Sequence, residues 1–555
     1  MGAEVRQGRP AGVRALLPWL LLGLAWFATI QVRPLLDPDE GRYAEIPREM
    51  LASGDWVTPH FDGLKYFEKP PLQYWATASL YSGFGLTQWS SRVWSFGLAF
   101  ACLPLVFAWV RRLYGEGAAL TALTALGVSP YFVILGHLNL LDAGFTFWLT
   151  GAVFAFTLAQ SAPLASRAER HWMLSAWALA ALAVLSKGIV VGVLCGAALG
   201  LYSLLERDTL IWRRLHLLPG VALFAILAVP WFLLVFRRNP AFPQFFFVHE
   251  HFARFLTTVH QRVEPWWYFL PLLLIAVLPW LAPLARACRD AWYGTGAEKP
   301  LDPGRPGPAQ LFRPLKFLLL YAAVTLVFFS MSGSKLAPYI LPMLPVLAAL
   351  TGACSAQPQA LARHAARINA VITLILATGL LIYSARKNAF VPHAALGWAV
   401  AAAVAALLGM VLSARARSAW AVMTVAVLGA SLALQCMLCE YTVIPPARSA
   451  RELVSAVRAF VGPHTPLYSV GQYRETVSPY LGRTLQLAGF DGELRFGLDQ
   501  EPQYRMSLEQ FAARWSAGGP AVAFFDPEVW DAWRRRGLPG RVIAADYYTV
   551  AVSRL

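Results

Sequence analysis

Long apolar runs alternate with short polar breaks from Ala15 to Cys439, after which the chain changes character. A helix needs about 20 apolar residues to cross the hydrocarbon of a bilayer. Runs of roughly this length predict thirteen spans, near 13–32, 90–110, 117–136, 140–160, 172–186, 188–205, 216–236, 266–285, 314–330, 337–353, 368–384, 393–412 and 418–438. Lipid offers the backbone no hydrogen-bond partner, so runs that are apolar on every face read as helices. Barrel strands would alternate. The pair 172–186 and 188–205 is short and is interrupted by Ser186-Lys187-Gly188; a single merged span there would reverse the sidedness of everything after it. Two stretches between runs are long, 33–89 and 237–265. After Pro445-Pro446 the periodicity is that of a water-soluble domain: helical over Arg448–Phe460 and Leu508–Trp515, strand-like over Pro466–Val470 and Ala521–Phe525, with one or two strands in Arg541–Ser553. The expected fold is a polytopic α-helical membrane protein, with a transmembrane domain over 1–440 and a soluble α/β layer domain over 441–555.

Only 14% of the 555 residues are charged, against about 25% in a soluble chain. A formal charge of +16 raises the question of a nucleic-acid partner, but residues 441–555 hold 13 Arg against 11 Asp and Glu, a net of +2. Most of the excess sits in short breaks beside the apolar runs, which is the positive-inside pattern of membrane topology, so no nucleic acid is expected. With a cytoplasmic N-terminus and thirteen spans, the cytoplasmic segments hold 20 positive residues, among them Arg6, Arg9, Arg14, Lys299, Arg305, Arg415 and Arg417. The short outer turns hold only Lys187, Lys335, Arg386 and Lys387. Merging the 172–205 pair would place the Arg-rich breaks outside, so two spans are expected there. The stretches 33–89, 237–265 and 441–555 then all lie outside the cytoplasm. The first run has no clear small-residue cleavage site before Gln31 and reads as a retained span. The six Cys, including the Cys436-Met-Leu-Cys439 pair, lie mostly in or beside apolar runs and read as small hydrophobes.

The first long stretch carries the densest chemistry. Asp37, Asp39 and Glu40 fall together at the end of a span, and clustered carboxylates raise one another's cost of ionisation unless a cation answers them. A solvated turn, with Asp39 capping a helix over Arg42–Ala52, is the competing reading. Further on, Tyr66-Phe-Glu68-Lys69 runs into Pro70-Pro71, which fixes the backbone; a lysine so held is a compact point charge suited to phosphate. Asp142 lies in the outer start of a span, where an ionisable group is functional by default. Its alternative is a structural pairing with Arg42 or Arg92. The second long stretch adds His249-Glu250-His251, Arg254, His260 and Arg262. Residues 249 and 251 would not share a helix face, so a two-histidine helical zinc site is not expected; a structural zinc on Glu68 and His249 stays open. Arg254, flanked by aromatics, is placed to clamp an anion. Lys187 and Lys335 sit in further outer turns. Lys69, Lys187, Arg254 and Lys335 at headgroup depth, with Asp39, Glu40 and Asp142 near them, suit a lipid-linked sugar phosphate.

The run DPDEGRYAEIPREM, followed by GDWVTPHFDGLKYFEKPPLQYW and SRVWS, resembles the bacterial lipid A aminoarabinose transferases, membrane glycosyltransferases of the GT-C fold related to protein O-mannosyltransferases. HLNLLDAGFTFW, LSKG, FFFVHEHFARFL, HQRVEPWWYFLP and FSMSGSKLAPYILP are also similar to that family, so the likeness covers the whole membrane part. It departs at Ala337, where Pro is expected. The resemblance implies transfer of 4-amino-4-deoxy-L-arabinose from undecaprenyl phosphate to lipid A phosphates, at the periplasmic side of a Gram-negative inner membrane, with resistance to polymyxin and cationic peptides. It implies a monomer that requires no cofactor. Asp39 matches the family's essential loop aspartate and Asp142 its second acidic position, while Lys69 and Arg254 match the cations expected on the carrier phosphate. Arg42, Tyr43, Tyr66, Glu68 and His249 lie in matching motifs. Two other readings remain at this point: a GT-C transferase acting on protein or glycan hydroxyls, with Asp39 as base, and a lipid or sugar transporter. No internal repeat of the transporter kind is evident, and the charged motifs cluster at one surface rather than at the midplane.

Overall fold

In the computed structural model of the protein, the described residues are 16–256, 264–295, 312–388, 391–445 and 448–554. Arg6, Arg9, Arg14, Lys299, Arg305, His260, Arg262, Pro446 and the side chain of His251 lie outside them. Among the described residues nine helices are long and apolar enough to cross a membrane, and a bent pair makes a tenth. Two shorter apolar helices, Leu17–Trp26 and Val190–Glu206, and the more polar Arg167–Lys187 stand at the other three expected positions.

The expected span 117–136 is one of the places where the structure differs. It is two helices, Glu116–Gly127 and Pro130–Gly136, bent by 65°. Ser129 caps the second helix by accepting from the Phe132 amide, and Pro130 follows at its first turn. Proline fits there but cannot continue a preceding helix. The run near 337–353 likewise opens with a 3-10 turn, Ala337–Ile340, before the helix Met343–Cys354. Between Arg167–Lys187 and Val190–Glu206 the chain does break, at Gly188 with φ +91°, so the short pair is two helices.

The first long stretch is folded throughout. It holds a loop helix Asp39–Ser53, a two-residue hairpin ladder (His60–Phe61 with Leu64–Lys65) and a helix Leu72–Phe84. Asp39 is not the N-cap of the loop helix: the helix starts at Asp39 itself, after Pro38. Asp39 and Glu40 therefore sit in its first turn, where the helix dipole favours negative charge. The second stretch coils as a wide helical turn, Gln244–Ala253, running into Arg254–Leu256.

The C-terminal domain is a five-stranded sheet in the order 486–488, 467–470, 521–525, 550–554, 541–545. Leu467–Val470 runs parallel to Gln486–Ala488 and Ala521–Phe525, while Val550–Arg554 is antiparallel to both its neighbours. This domain shares one hydrophobic core with the first stretch: Tyr43, Ile46, Met50 and Phe61 pack with Leu453, Val477, Leu494 and Phe524. The approach is close at Gly41, where a Cβ would stand 2.6 Å from the carbonyl carbon of Glu475. Asp37 ties the seam, accepting from the Thr476 amide at 2.7 Å and from Arg474 at 2.9 Å.

Candidate active site

Four segments converge on the first turn of the loop helix. Asp39 bonds Arg42 at 2.7 Å and keeps a carboxylate that is 42% exposed, the most open acid of the group Asp39, Glu40, Asp142. Its neighbour Glu40 is the opposite case. Its oxygens accept from both Arg92 nitrogens at 2.8 Å, from the Asn139 amide at 2.9 Å and from the Leu36 amide at 3.0 Å. At 2% exposure and with every lone-pair direction used, Glu40 cannot meet a substrate, which corrects its expected catalytic role: it is the buried anchor of the loop.

The cations gather as one network. Lys69 lies 3.9 Å from Glu68 and 3.8 Å from Glu250. Arg254 bonds Glu250 at 2.8 Å across one helical turn, lies 3.8 Å from Glu68, and donates to the Tyr339 hydroxyl at 3.2 Å. The Lys187 ammonium sits 4.6 Å above the Tyr339 ring and pairs with Asp142. Asp142 is thus held by Lys187, not by Arg42 or Arg92. Burial brings the Lys69 ammonium down to about 8, with the Arg254 charge adding to the effect. Burial alone would also lower Arg254, but the Tyr339, Glu250 and Glu68 oxygens more than offset it and hold the guanidinium charged. A buried lysine weakened by a neighbouring guanidinium is a site short of an anion.

Lys335 does not join this network. Its ammonium donates to the backbone carbonyls of Ser332 and Glu264, at 2.7 and 3.0 Å, so it fastens a turn. The zinc reading of Glu68 and His249 does not fit the donor set either. His249 faces Glu250 at 3.4 Å while Glu68 faces two cations, and among the described residues no group of three His, Cys, Asp or Glu stands ready for a metal.

Around Asp39 lie Arg42, Tyr43 and Tyr66, which their motifs singled out, together with Glu493, Phe496 and Tyr74, which sequence patterns did not mark. Arg42 is shared between Asp39 and Glu493, whose carboxylate it grips with two nitrogens. Glu493 belongs to the C-terminal domain, and Phe496, in the short helix after its turn, packs with ring centroids 4.0 Å from Phe245 of the second stretch. The Tyr43 ring stacks on Tyr74 at 6.2 Å and stands in the fields of Asp39, Arg42 and Asp142. Tyr66 and Tyr74 are buried, and among the described residues neither hydroxyl has a hydrogen-bond partner.

A helical membrane part bearing a buried cation network at one end, beside an exposed aspartate on a loop helix, defines a membrane transferase that handles phosphate-linked groups. Residues 453–554 match the family described as aminoarabinose transferase C-terminal domain, and residues 21–246 match dolichyl-phosphate-mannose-protein mannosyltransferase. The crystal structure of ArnT from Cupriavidus metallidurans bound to undecaprenyl phosphate is similar over 98% of both chains, with 32% identity and a TM-score of 0.85. Among curated relatives, the undecaprenyl phosphate-alpha-4-amino-4-deoxy-L-arabinose arabinosyl transferase of Pseudomonas aeruginosa is 36% identical over 65% of this chain and 63% of its own length. That of Edwardsiella ictaluri is 32% identical over 65% and 62%. These matches thus span a little under two thirds of the curated relatives' length. The chain belongs to the aminoarabinose transferase family.

Proposed function

We propose that this protein moves 4-amino-4-deoxy-L-arabinose from undecaprenyl phosphate to the phosphate groups of lipid A, at the periplasmic face of a Gram-negative inner membrane. The observation that carries this reading is the network of Lys69, Arg254 and Lys187 around Glu68, Glu250 and Asp142. The carboxylates beside these cations are exchangeable partners, so an arriving phosphate displaces them and takes the cations. The same contacts then stabilise the phosphate as it leaves the sugar, and preorganised charge is the largest single contribution many active sites make.

A phosphate acceptor is already an anionic nucleophile at neutral pH and needs no strong base. Asp39 accordingly positions the reacting groups, with Arg42 fixing its carboxylate. Asp142 acts through Lys187, orienting the ammonium over the Tyr339 ring. The C-terminal domain lies on the same face as the site, outside the cytoplasm, and the protein works as a monomer. Purified protein in detergent, supplied with undecaprenyl-phosphate aminoarabinose and lipid A, should add one aminopentose mass to lipid A. Transfer only to hydroxyl acceptors, with lipid A left unmodified, would overturn the acceptor assignment.

A further inference from the structure

The loop helix carries a second concentration of acid at the end remote from Asp39, roughly 20 Å along its axis at about 1.5 Å per residue. A cavity of about 490 Å³ opens there, between residues 48–53 of the helix, the hairpin turn at Gly63 and the segment 482–484 of the C-terminal domain. Glu49 lines this cavity and is only 7% exposed. One of its oxygens accepts from the Gly63 amide at 2.8 Å, while the other is buried and meets no donor among the described residues. Asp62, the residue before Gly63, repeats the condition. One oxygen accepts from the Leu485 amide at 2.7 Å and from the Ser478 hydroxyl at 3.3 Å, and the other has no donor among the described residues. Burial, then the charges of Glu45 and Asp62, hold Glu49 well above the ordinary carboxylate range, and burial pushes Asp62 up to about 8. A buried acceptor left without a donor costs free energy that a bound donor recovers.

The basic groups around the cavity are committed elsewhere. Arg48 spends its guanidinium on Glu45, at 2.7 and 2.5 Å, and on the Gly482 carbonyl at 3.3 Å. Arg483 donates to the carbonyls of Gly462 and Thr465, at 2.9 and 2.8 Å. His60 lines another side, and burial holds it below its ordinary 6.5, so it adds no charge at neutral pH. Ala52 and Ser53, at the C-terminal end of the loop helix, form part of the rim, and that end of a helix carries partial negative charge. An idle carboxyl oxygen beside a helix C-terminus favours a cation. A metal ion is poorly served, since among the described residues no group of three His, Cys, Asp or Glu stands ready for one. An ammonium brings three N–H donors of its own, which Glu49 and the Ser53 and Thr484 hydroxyls can accept.

We propose that this cavity is a second binding site, for a primary ammonium group carried on a small amine or on an amine-bearing lipid headgroup, with Glu49 as its acceptor. The site stands apart from the reacting groups and does not depend on the sugar or the acceptor assigned above. Its ligand touches the loop helix, the hairpin and the C-terminal domain together. Binding there clamps the docked domain, and stability rises with occupancy because the unfolded chain holds no such cavity.

The test follows thermal unfolding of the full-length protein in detergent and amine-free buffer, with ethanolamine, tetramethylammonium chloride or magnesium chloride at one ionic strength. Ethanolamine should raise the unfolding temperature saturably. Tetramethylammonium, which has no N–H, and magnesium should not. At ten times the half-saturating ethanolamine concentration the apparent unfolding constant should fall about tenfold. Glu49→Gln keeps the shape of the side chain and removes its charge, and should weaken half-saturation by roughly 10- to 100-fold, the range of a hydrogen bond to a charged group. No rise in wild type, a rise matched by tetramethylammonium or magnesium, or a rise undiminished in Glu49→Gln would overturn the proposal. Lipid nanodiscs separate the two sources. A response to ethanolamine in phosphatidylglycerol discs that vanishes in phosphatidylethanolamine discs assigns the site to the headgroup, and equal responses in both assign it to a soluble amine.

Discussion

Two walls of one site are built in different ways. The cation wall takes Lys69 from the first stretch, Arg254 from the second and Lys187 from a helix end, each beside a motif that fixes it: Pro70-Pro71 after Lys69, Glu250 one turn before Arg254, Gly188 after Lys187. The acid wall takes Glu493 from a domain more than 400 residues along the chain from Arg42, and nothing local marks it. The cations are thus held by local motifs of the membrane part, whereas the C-terminal domain contributes by docking, with Glu493 reaching back to Arg42 on the loop helix.

The largest effect should come from breaking the frame on which both walls hang. Glu40→Ala leaves Arg92, 0% exposed, and Arg33 buried without their counter-charge. Removing one partner of a buried ion pair costs about 3–5 kcal/mol. The variant should therefore lose monodisperse protein in detergent at far lower temperature than wild type; a stable but inactive protein would return Glu40 to a catalytic role. Next, Asp39→Asn keeps the fold and strikes the point where the walls meet. Loss of one well-placed polar group in an active site costs roughly 10²- to 10³-fold in kcat, and full activity in reconstituted membranes would remove Asp39 from the mechanism. Smaller again is Gly41→Ala, which drives a methyl group to 2.6 Å from the Glu475 backbone and lifts the acid wall off the loop helix. Overpacking of this kind costs about 1–3 kcal/mol. Proteolytic release of the C-terminal domain from the membrane part should rise, and transfer activity should fall with it. Unchanged proteolysis would mean that the seam yields without cost.

Legibility followed the same division. The apolar runs marked where each long apolar helix lies, because a span of fixed length must be apolar whatever it packs against, but not its ends: Pro358–Asn388 and Phe269–Tyr293 extend well beyond the expected 368–384 and 266–285. The bend at Ser129-Pro130 was written in the chain but outweighed by the continuous apolar run around it. In the C-terminal domain the strands 467–470 and 521–525 were legible as short apolar runs, whereas Gln486–Ala488 is too short for any period to show. At the site, residue types pointed to Asp39, Lys69, Asp142 and Arg254. They misjudged Glu40 and Lys335, because a side chain's role here depends on what lies across from it. Four hydrogen bonds saturate Glu40, and two backbone carbonyls occupy Lys335. Glu493 was not legible at all, because its role rests on a tertiary contact with Arg42, and Gly41, which has no room for a side chain against the Glu475 backbone, shows only that two distant segments meet.

The finest test tunes the cation wall alone, through the protonation of Lys69. Its ammonium is lowered from 10.5 to about 8, first by burial and then by Arg254. A bound phosphate returns negative charge to that surface and raises it again, so donor binding takes up a proton wherever the empty site has lost one. The sign follows: below pH 8 the lysine is charged with or without donor and affinity is flat, while above pH 8 affinity falls, by up to tenfold per pH unit. Arg254 stays charged throughout this window. His249, raised from 6.5 by its bond to Glu250, is the other group that titrates nearby, so His249→Gln should keep the break near pH 8. Affinity for undecaprenyl-phosphate arabinose, a phosphodiester whose sugar has no amine to titrate, measured from pH 6.5 to 9.5 should therefore bend for wild type and His249→Gln but run flat for Lys69→Arg, whose guanidinium does not titrate there. A flat wild-type profile would place the phosphate away from Lys69 and leave Arg254 and Lys187 to hold it.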